Sequence, residues 1–237
     1  MKISICVATR GRAPLMERLY ESILTTTKDL NNVELVFCVD DDDPKSIAML
    51  ELLSTPDSIV NGCIVNEKEV ILAEKWNKCW EISSGEVFML CDDDIIFRTK
   101  GWDVEVRNAF VKYPDRIVFV YGRDTPNHPW GNKGTHGFIH KNWADTVGYF
   151  VPPYFRTWYV DRWLNNVAEI IDRRCYLKDV YTEHMHIGRN LAPMDDTYLR
   201  GSHGEKGDVR KIWSQKQPEL REDAEKLRKF IENFKKV

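Results

Sequence analysis

The stretch Val87-Phe88-Met89-Leu90-Cys91-Asp92-Asp93-Asp94-Ile95-Ile96-Phe97 decides how this chain is read. Its apolar start, entered from Ser84-Gly85-Glu86, predicts a strand buried on both faces in a parallel sheet. Three carboxylates at the carboxyl end of such a strand are costly, because each raises its neighbours' pKa and resists leaving water. A divalent cation removes that cost, and closely spaced oxygen ligands suit Mg2+ or Mn2+. A solvated turn or a helix cap is the plainer alternative for a single Asp. Three in a row at a strand end favour a metal.

Working outward, the first half alternates strand and helix signals. Ile3–Ala8 reads as a strand, Thr9-Arg10-Gly11-Arg12 as a turn, and Pro14 as the first turn of a helix carrying Leu15, Leu19, Ile23 and Leu24. Val33–Val39 is a second strand, ending in Asp40-Asp41-Asp42-Asp43-Pro44, and a helix through Ile47, Leu50 and Leu53 follows. A short strand at 59–65 and a helix over 71–83 lead to Val87. This repetition predicts a doubly wound, mostly parallel sheet, with both aspartate clusters at carboxyl strand ends, where open α/β sheets bind ligands.

The second half is less regular. Helices are expected at 101–113 and from about Val160, and strands at 116–121, 138–140 and 176–186. Residues 122–137 read as a long loop and residues 188–210 as a mobile one. From about Pro218 an amphipathic helix is expected, with Leu220, Ala224, Leu227, Ile231 and Phe234 on one face. It packs on its own domain in the commoner reading and forms a dimer seam in the other.

With 237 residues, the chain suits one large α/β domain or two small ones. Its 34 basic and 37 acidic residues leave a net charge of −3, so no global field recruits nucleic acid or anionic membrane. The six cysteines are scattered without a CxxC pair, which argues against a disulfide framework or a zinc site. No segment has transmembrane length, and a cytoplasmic protein is the expectation.

The ordered series strand, Thr9-Arg10-Gly11-Arg12, strand, Asp40-Asp41, Lys75-Trp76-Asn77, strand, Asp92-Asp93-Asp94 resembles the nucleotide-sugar-binding half of family 2 glycosyltransferases with the GT-A fold. Tyr159-Val160-Asp161-Arg162-Trp163 resembles the family's catalytic-base segment, and Glu183-His184-Met185-His186 its metal-histidine segment. Gly11 stands where the family often has Asn. The resemblance covers about residues 1–200. It implies a GT-A-like, Rossmann-like α/β domain over 1–212, with a nucleotide-sugar half (1–100), an acceptor half (101–212) and a C-terminal helical extension (213–237).

The resemblance also implies roles. Thr9, Arg10, Arg12, Asp40, Asp41, Lys75, Asn77, Asp92 and Asp93 would contact the nucleotide, with Asp40 accepting from the base or ribose. Asp42 and Asp43 are read as capping or solvated, although capping before Pro44 competes for the whole Asp40–Asp43 run. Arg12 solvating its own helix start is an equal alternative. Trp76 and Trp80 are read as packing inward. Asp92 and Asp94 are the outer carboxylates, with Asp94 the expected metal ligand and Asp93 pointing the other way along an extended chain. His184 or His186 would complete the metal shell; two residues apart on a strand, they face opposite ways, so one ligates, with His184 preferred. Asp161 is the candidate general base, against the alternative of a helix cap. On their own chemistry, the aromatic residues of 154–163 and Trp130 are read as a stacking wall for an acceptor sugar or base, with core packing the alternative for some of the rings. The implied enzyme is a metal-dependent, inverting hexosyl- or pentosyltransferase with Mn2+ or Mg2+, taking a nucleoside-diphosphate sugar, UDP-sugar foremost, and transferring to a glycan, a protein or a modified DNA base. A nucleotidyltransferase and a non-catalytic binding module are the rivals.

Overall fold

The computed structural model describes residues 1–66, 71–125, 133–156, 158–202 and 206–236, side chains excepted at 200–202 and 206–208. Its strands are β1 (Ile3–Thr9), β2 (Val33–Asp40), β3 (Val60–Val65), β4 (Val87–Asp92), β5 (Ile95–Phe97), β6 (Phe119–Arg123), β7 (Gly137–His140) and β8 (Arg174–His184). They form one sheet in the order β3-β2-β1-β4-β7-β6-β8-β5. The first four run parallel; β7 is antiparallel to β4 and β6, β8 runs parallel to β6, and β5 is antiparallel to β8. The expected mostly parallel sheet is present, with an antiparallel turn-back in its second half.

β1 and β2 are buried at every position. Alternate residues feed two cores, as the two-residue period of a strand requires. Cys6, Val36, Cys38, Phe88 and Leu90 face one core; Ile5, Val7, Leu35, Phe37 and Met89 face the other. Helices cover both faces: α1 (Ala13–Thr26), α2 (Pro44–Leu53), α3 (Leu72–Ile82), α4 (Trp102–Val111), α5 (Lys141–Val147), α6 (Val160–Ile170), α7 (Asp196–Ser202), α8 (Lys206–Gln215) and α9 (Gln217–Phe234). The buried side of α1 is Met16, Leu19 and Ile23; Leu15 and Leu24 are only partly covered.

One expectation is corrected. Residues 188–210, read as a mobile loop, carry α7 and the start of α8. Asp195 starts α7 by accepting the Tyr198 N–H at 2.9 Å, the ordinary chemistry of a helix cap. The short Ile95–Phe97 run forms a separate strand at the far edge, pairing Ile95 with His184. In the tail, Leu220, Ala224, Leu227 and Ile231 join the core shared with α5 and α6, while Phe234 is 44% exposed. α8 runs through residue 212, and no helix among the described residues is long and apolar enough to cross a membrane.

Candidate active site

Parallel pairing sets the site. β1 lies between β2 and β4, with Ala8 opposite both Cys38 and Asp92, so Thr9, Asp40 and Asp92 emerge at one edge of the sheet. Asp40, fully buried, ends β2 and accepts from Arg10 at 2.8 Å and from Lys75 of α3. Arg10 also grips Asp42 through both guanidinium nitrogens, one at 2.6 Å. Asp42 is therefore an ion-pair partner, while Asp43 caps α2 by accepting from Ser46 N at 3.2 Å. Asp41 leaves the sheet edge, its N–H donating to Val65 O at 2.9 Å. Gly11 sits at φ +67, a left-handed position that Gly and Asn both tolerate.

Each aspartate of the triplet has its own surroundings. Asp93 turns inward, accepting from Thr9 Oγ1 at 2.8 Å and Arg12 Nη1 at 2.9 Å. Burial pushes its carboxyl up to about 7; Arg12 pulls it down and Asp94 pushes it further up. Arg12 also donates to Asp195 at 2.8 and 3.1 Å, and its guanidinium lies 4.3 Å from the centre of the Tyr198 ring. Arg12 is thus a buried clamp rather than a solvated helix end. Asp94 accepts from the Tyr198 hydroxyl at 2.6 Å, and its other oxygen is 3.2 Å from His184 Nε2. Burial works to raise Asp94, but the His184 ring and the Tyr198 hydroxyl hold it below the ordinary carboxylate range.

Asp92 is the most exposed of the three and meets a residue absent from the expected set: His136 Nε2 lies 2.9 Å from Asp92 Oδ2. Asp92, His136 and His184 each bring one ligand atom into a group spanning no more than 4.8 Å. Two imidazoles and a carboxylate form a donor set that fits a divalent metal. Buried Asp94 Oδ1 makes no well-formed hydrogen bond among the described residues, His184 Nε2 at 3.2 Å being an ion-pair neighbour, and so keeps an oxygen available to a cation. His184 ends β8, where its N–H donates to Asp124 O at 3.0 Å. The strand stops there, so His186 is not carried to the opposite face; its ring centre lies 5.0 Å from that of His184, and its Nδ1 accepts from Gly188 N at 3.0 Å. His186 stays outside the ligand group.

Asp161 lies in the first turn of α6, after Tyr159 at φ +80. Burial pushes its carboxyl up; the N–H groups of the helix start and His136 act against this, and the charge of Asp92 adds to it. Asp161 therefore lies within electrostatic reach of the metal-ligand group. In the aromatic stretch, Phe155 and Trp163 are core residues packed near Trp213, whereas Trp158 is 39% exposed. Trp130 and Thr157 lie outside the described residues.

Asn77 stands apart from the others. Its amide donates to Val151 O at 2.9 Å and accepts from Phe150 N and Val151 N at 3.0 Å each, so its hydrogen bonds hold the chain after α5. Trp76 and Trp80 pack inward as expected, Trp76 Nε1 donating to Cys91 O at 3.1 Å. The structure therefore brings together Thr9, Arg12, Asp92, Asp93, Asp94 and His184, sets Arg10, Asp40 and Lys75 beside them, and adds His136, Asp195 and Tyr198.

Residues 4–190 match the family model described as glycosyl transferase family 2. No curated protein sequence matches significantly. Among solved structures, a mannosyltransferase from Pyrobaculum calidifontis, in complex with GDP-Man and Mn2+, is 14% identical with a TM-score of 0.65, over 78% of this chain and 57% of that one. S. aureus TarS 1–349 in complex with UDP is 13% identical with a TM-score of 0.62, over 77% of this chain and 59% of the other. The same protein with UDP-GlcNAc is 12% identical with a TM-score of 0.61. These likenesses show a shared GT-A fold, and this chain spans under two thirds of each neighbour.

Proposed function

We propose, from the premise that this chain belongs to glycosyl transferase family 2, that it is a metal-dependent, inverting glycosyltransferase using a nucleoside-diphosphate sugar, with a UDP-sugar favoured. One observation carries this reading. The ligand atoms of Asp92, His136 and His184 gather at the same end of the sheet as the Asp40–Lys75 pair, and the charges of Asp92 and His136 reach Asp161.

Asp40, with Arg10 and Lys75, would receive the base and ribose, since a buried carboxylate and two cations offer both acceptors and donors. Asp41 and Thr9 border that pocket. Arg12 and Asp93 hold the β1–α1 turn against the acidic strand, and Asp93 supports the site from inside. Asp92, His136 and His184 would hold the metal, with Asp94 beside His184 able to join them. The imidazole pair favours Mn2+ over Mg2+, which prefers all-oxygen shells, and Mn2+ accompanies GDP-Man in the mannosyltransferase neighbour. Bound there, Mn2+ would supply positive charge against the diphosphate. Asp161 would take the proton of the acceptor hydroxyl, and its raised pKa suits a general base.

We also propose that residues 1–100 serve the donor and residues 101–212 the acceptor, with α9 bracing α5 and α6 from below. The six cysteines are free thiols, which suits a reducing compartment such as the cytoplasm.

The test is release of nucleoside diphosphate from UDP- and GDP-sugars with Mn2+, Mg2+ or chelator, with and without acceptor. Mn2+-dependent release is expected, abolished in Asp94→Asn. Donor binding with no turnover in any combination would identify a binding module and overturn the reading.

A further inference from the structure

His136 immediately precedes β7 and His184 ends β8, and these strands are not neighbours: β6 lies between them. One cation shared by the two imidazoles needs them at a fixed spacing, so their segments must be held against each other. The residue placed to do this is Asp124, which directly follows β6 and is buried. On the β7 side, the hydroxyl of Thr135, next to His136, donates to Asp124 Oδ2 at 2.9 Å. On the β8 side, the His184 N–H donates to Asp124 O at 3.0 Å. Arg189 joins the two contacts, Nη1 donating to that same carbonyl at 2.9 Å and Nη2 to Oδ2 at 3.2 Å.

The strand register brings His184 to this point. β8 pairs with β6 in step from Arg174 to Leu177, which stands opposite Gly122; the next pair is Arg123 with Tyr181. Lys178, Asp179 and Val180 drop out of the pairing, which draws His184 three residues back towards Asp124. Bulges of this kind re-aim side chains beside active sites. Gly122 permits it, because a Cβ there would come within 2.5 Å of Val180 O. Beyond His184, the Met185 N–H donates to Asp94 O at 2.9 Å. His184 is thus braced from two directions. His136 lies outside any strand, and the backbone before it is held by Asn165 at Gly134 and by Asp124 at Thr135. Of those two holders, Asp124 is the one bonded to His184 as well.

An ion pair with Arg189 could brace the fold without bearing on the metal site. The contacts of Asp124 point elsewhere, since they end on His184 itself and on the residue beside His136. We propose that Asp124, held by Arg189, is a positioning residue that sets the spacing of His136 and His184 for one divalent cation. The proposal rests on the reading of Asp92, His136 and His184 as metal ligands.

Thr135→Val isolates the link, because it removes one hydroxyl while keeping charge and shape, and Thr135→Ser restores the donor. Each variant is titrated with Mn2+ alone by calorimetry and with Co2+, whose visible absorption reports ligand geometry. Thermal unfolding of the metal-free proteins is followed alongside. Thr135→Val should bind Mn2+ about tenfold more weakly, the lower end of the range for losing an outer-shell partner, and should shift the Co2+ bands. Thr135→Ser should match wild type, and the metal-free Tm of both should stay within a few degrees of it. In Asp124→Ala, which lacks the acceptor, adding Thr135→Val should cost no further affinity. Three results would overturn the positioning role: unchanged Mn2+ affinity in Thr135→Val, a loss of Tm without a loss of affinity, or equal losses with and without the Asp124 carboxylate. A wild type that binds neither Mn2+ nor Co2+ would remove the metal reading itself, and the positioning role with it.

Discussion

His136 Nε2 stands 2.9 Å from Asp92 Oδ2, although 44 residues separate them in the chain. The contact makes His136 a member of the ligand group rather than a loop residue. His136→Ala should weaken Mn2+ binding by at least the roughly 10–100-fold typical of losing an outer-shell partner. Titration calorimetry with Mn2+ alone checks this. An unchanged affinity would move the metal to Asp94 and His184.

Asp161 carries a pH prediction. A base works only when deprotonated, and burial raises the Asp161 pKa. The acid limb of kcat/KM should therefore lie above the roughly 3.9 of an ordinary aspartate, with activity falling as pH drops through the raised value. Asp161→Asn should remove both the limb and transfer while donor binding persists. Donor binding lost with transfer would place Asp161 on the nucleotide side.

The difference between these two residues shows what the sequence makes legible. Asp161 follows a local signal, an acid at a helix start in a recognisable segment. The Asp40 and Asp92–Asp94 clusters are equally local, ending apolar runs whose parallel pairing follows from β-α alternation. His136 depends on a non-local pairing. The register of Met89 with Phe138, extended by two residues, sets His136 opposite Cys91, beside Asp92. Nothing periodic in residues 122–137 announces this; the only signal is a histidine two positions before the short run Phe138-Ile139. Asp195 and Tyr198 were hidden for a similar reason, since a seven-residue helix among glycines and mixed charge has too few turns to show a period.

Tyr198 should act as a positioning residue. Burial and the Asp94 charge raise its pKa, so the hydroxyl stays protonated and donates to Asp94. Tyr198→Phe removes that hydrogen bond but retains a ring for Arg12 to stack on. A hydrogen bond to a charged group contributes about 1.5–3 kcal/mol, so kcat/KM should fall by about tenfold or more. Mn2+ affinity should fall with it, while Tm stays near wild type. A Tm loss without a change in Mn2+ affinity would make the contact structural.

Asn77 leads to the opposite expectation. Its segment resembles a nucleotide-contacting one, yet its amide is committed to Phe150 N, Val151 N and Val151 O. Phe150 and Val151 are buried, so Asn77→Ala would leave three backbone groups without partners in a region water scarcely reaches. The cost should be about 2–3 kcal/mol, which for a chain of this size lowers Tm by roughly 4–12 °C. Donor KM, measured well below the new Tm, should hardly move, because the lost contacts support the chain between α5 and α6 rather than the pocket at Asp40. Thermal unfolding beside donor KM separates the two roles. A raised donor KM with an unchanged Tm would return Asn77 to the nucleotide.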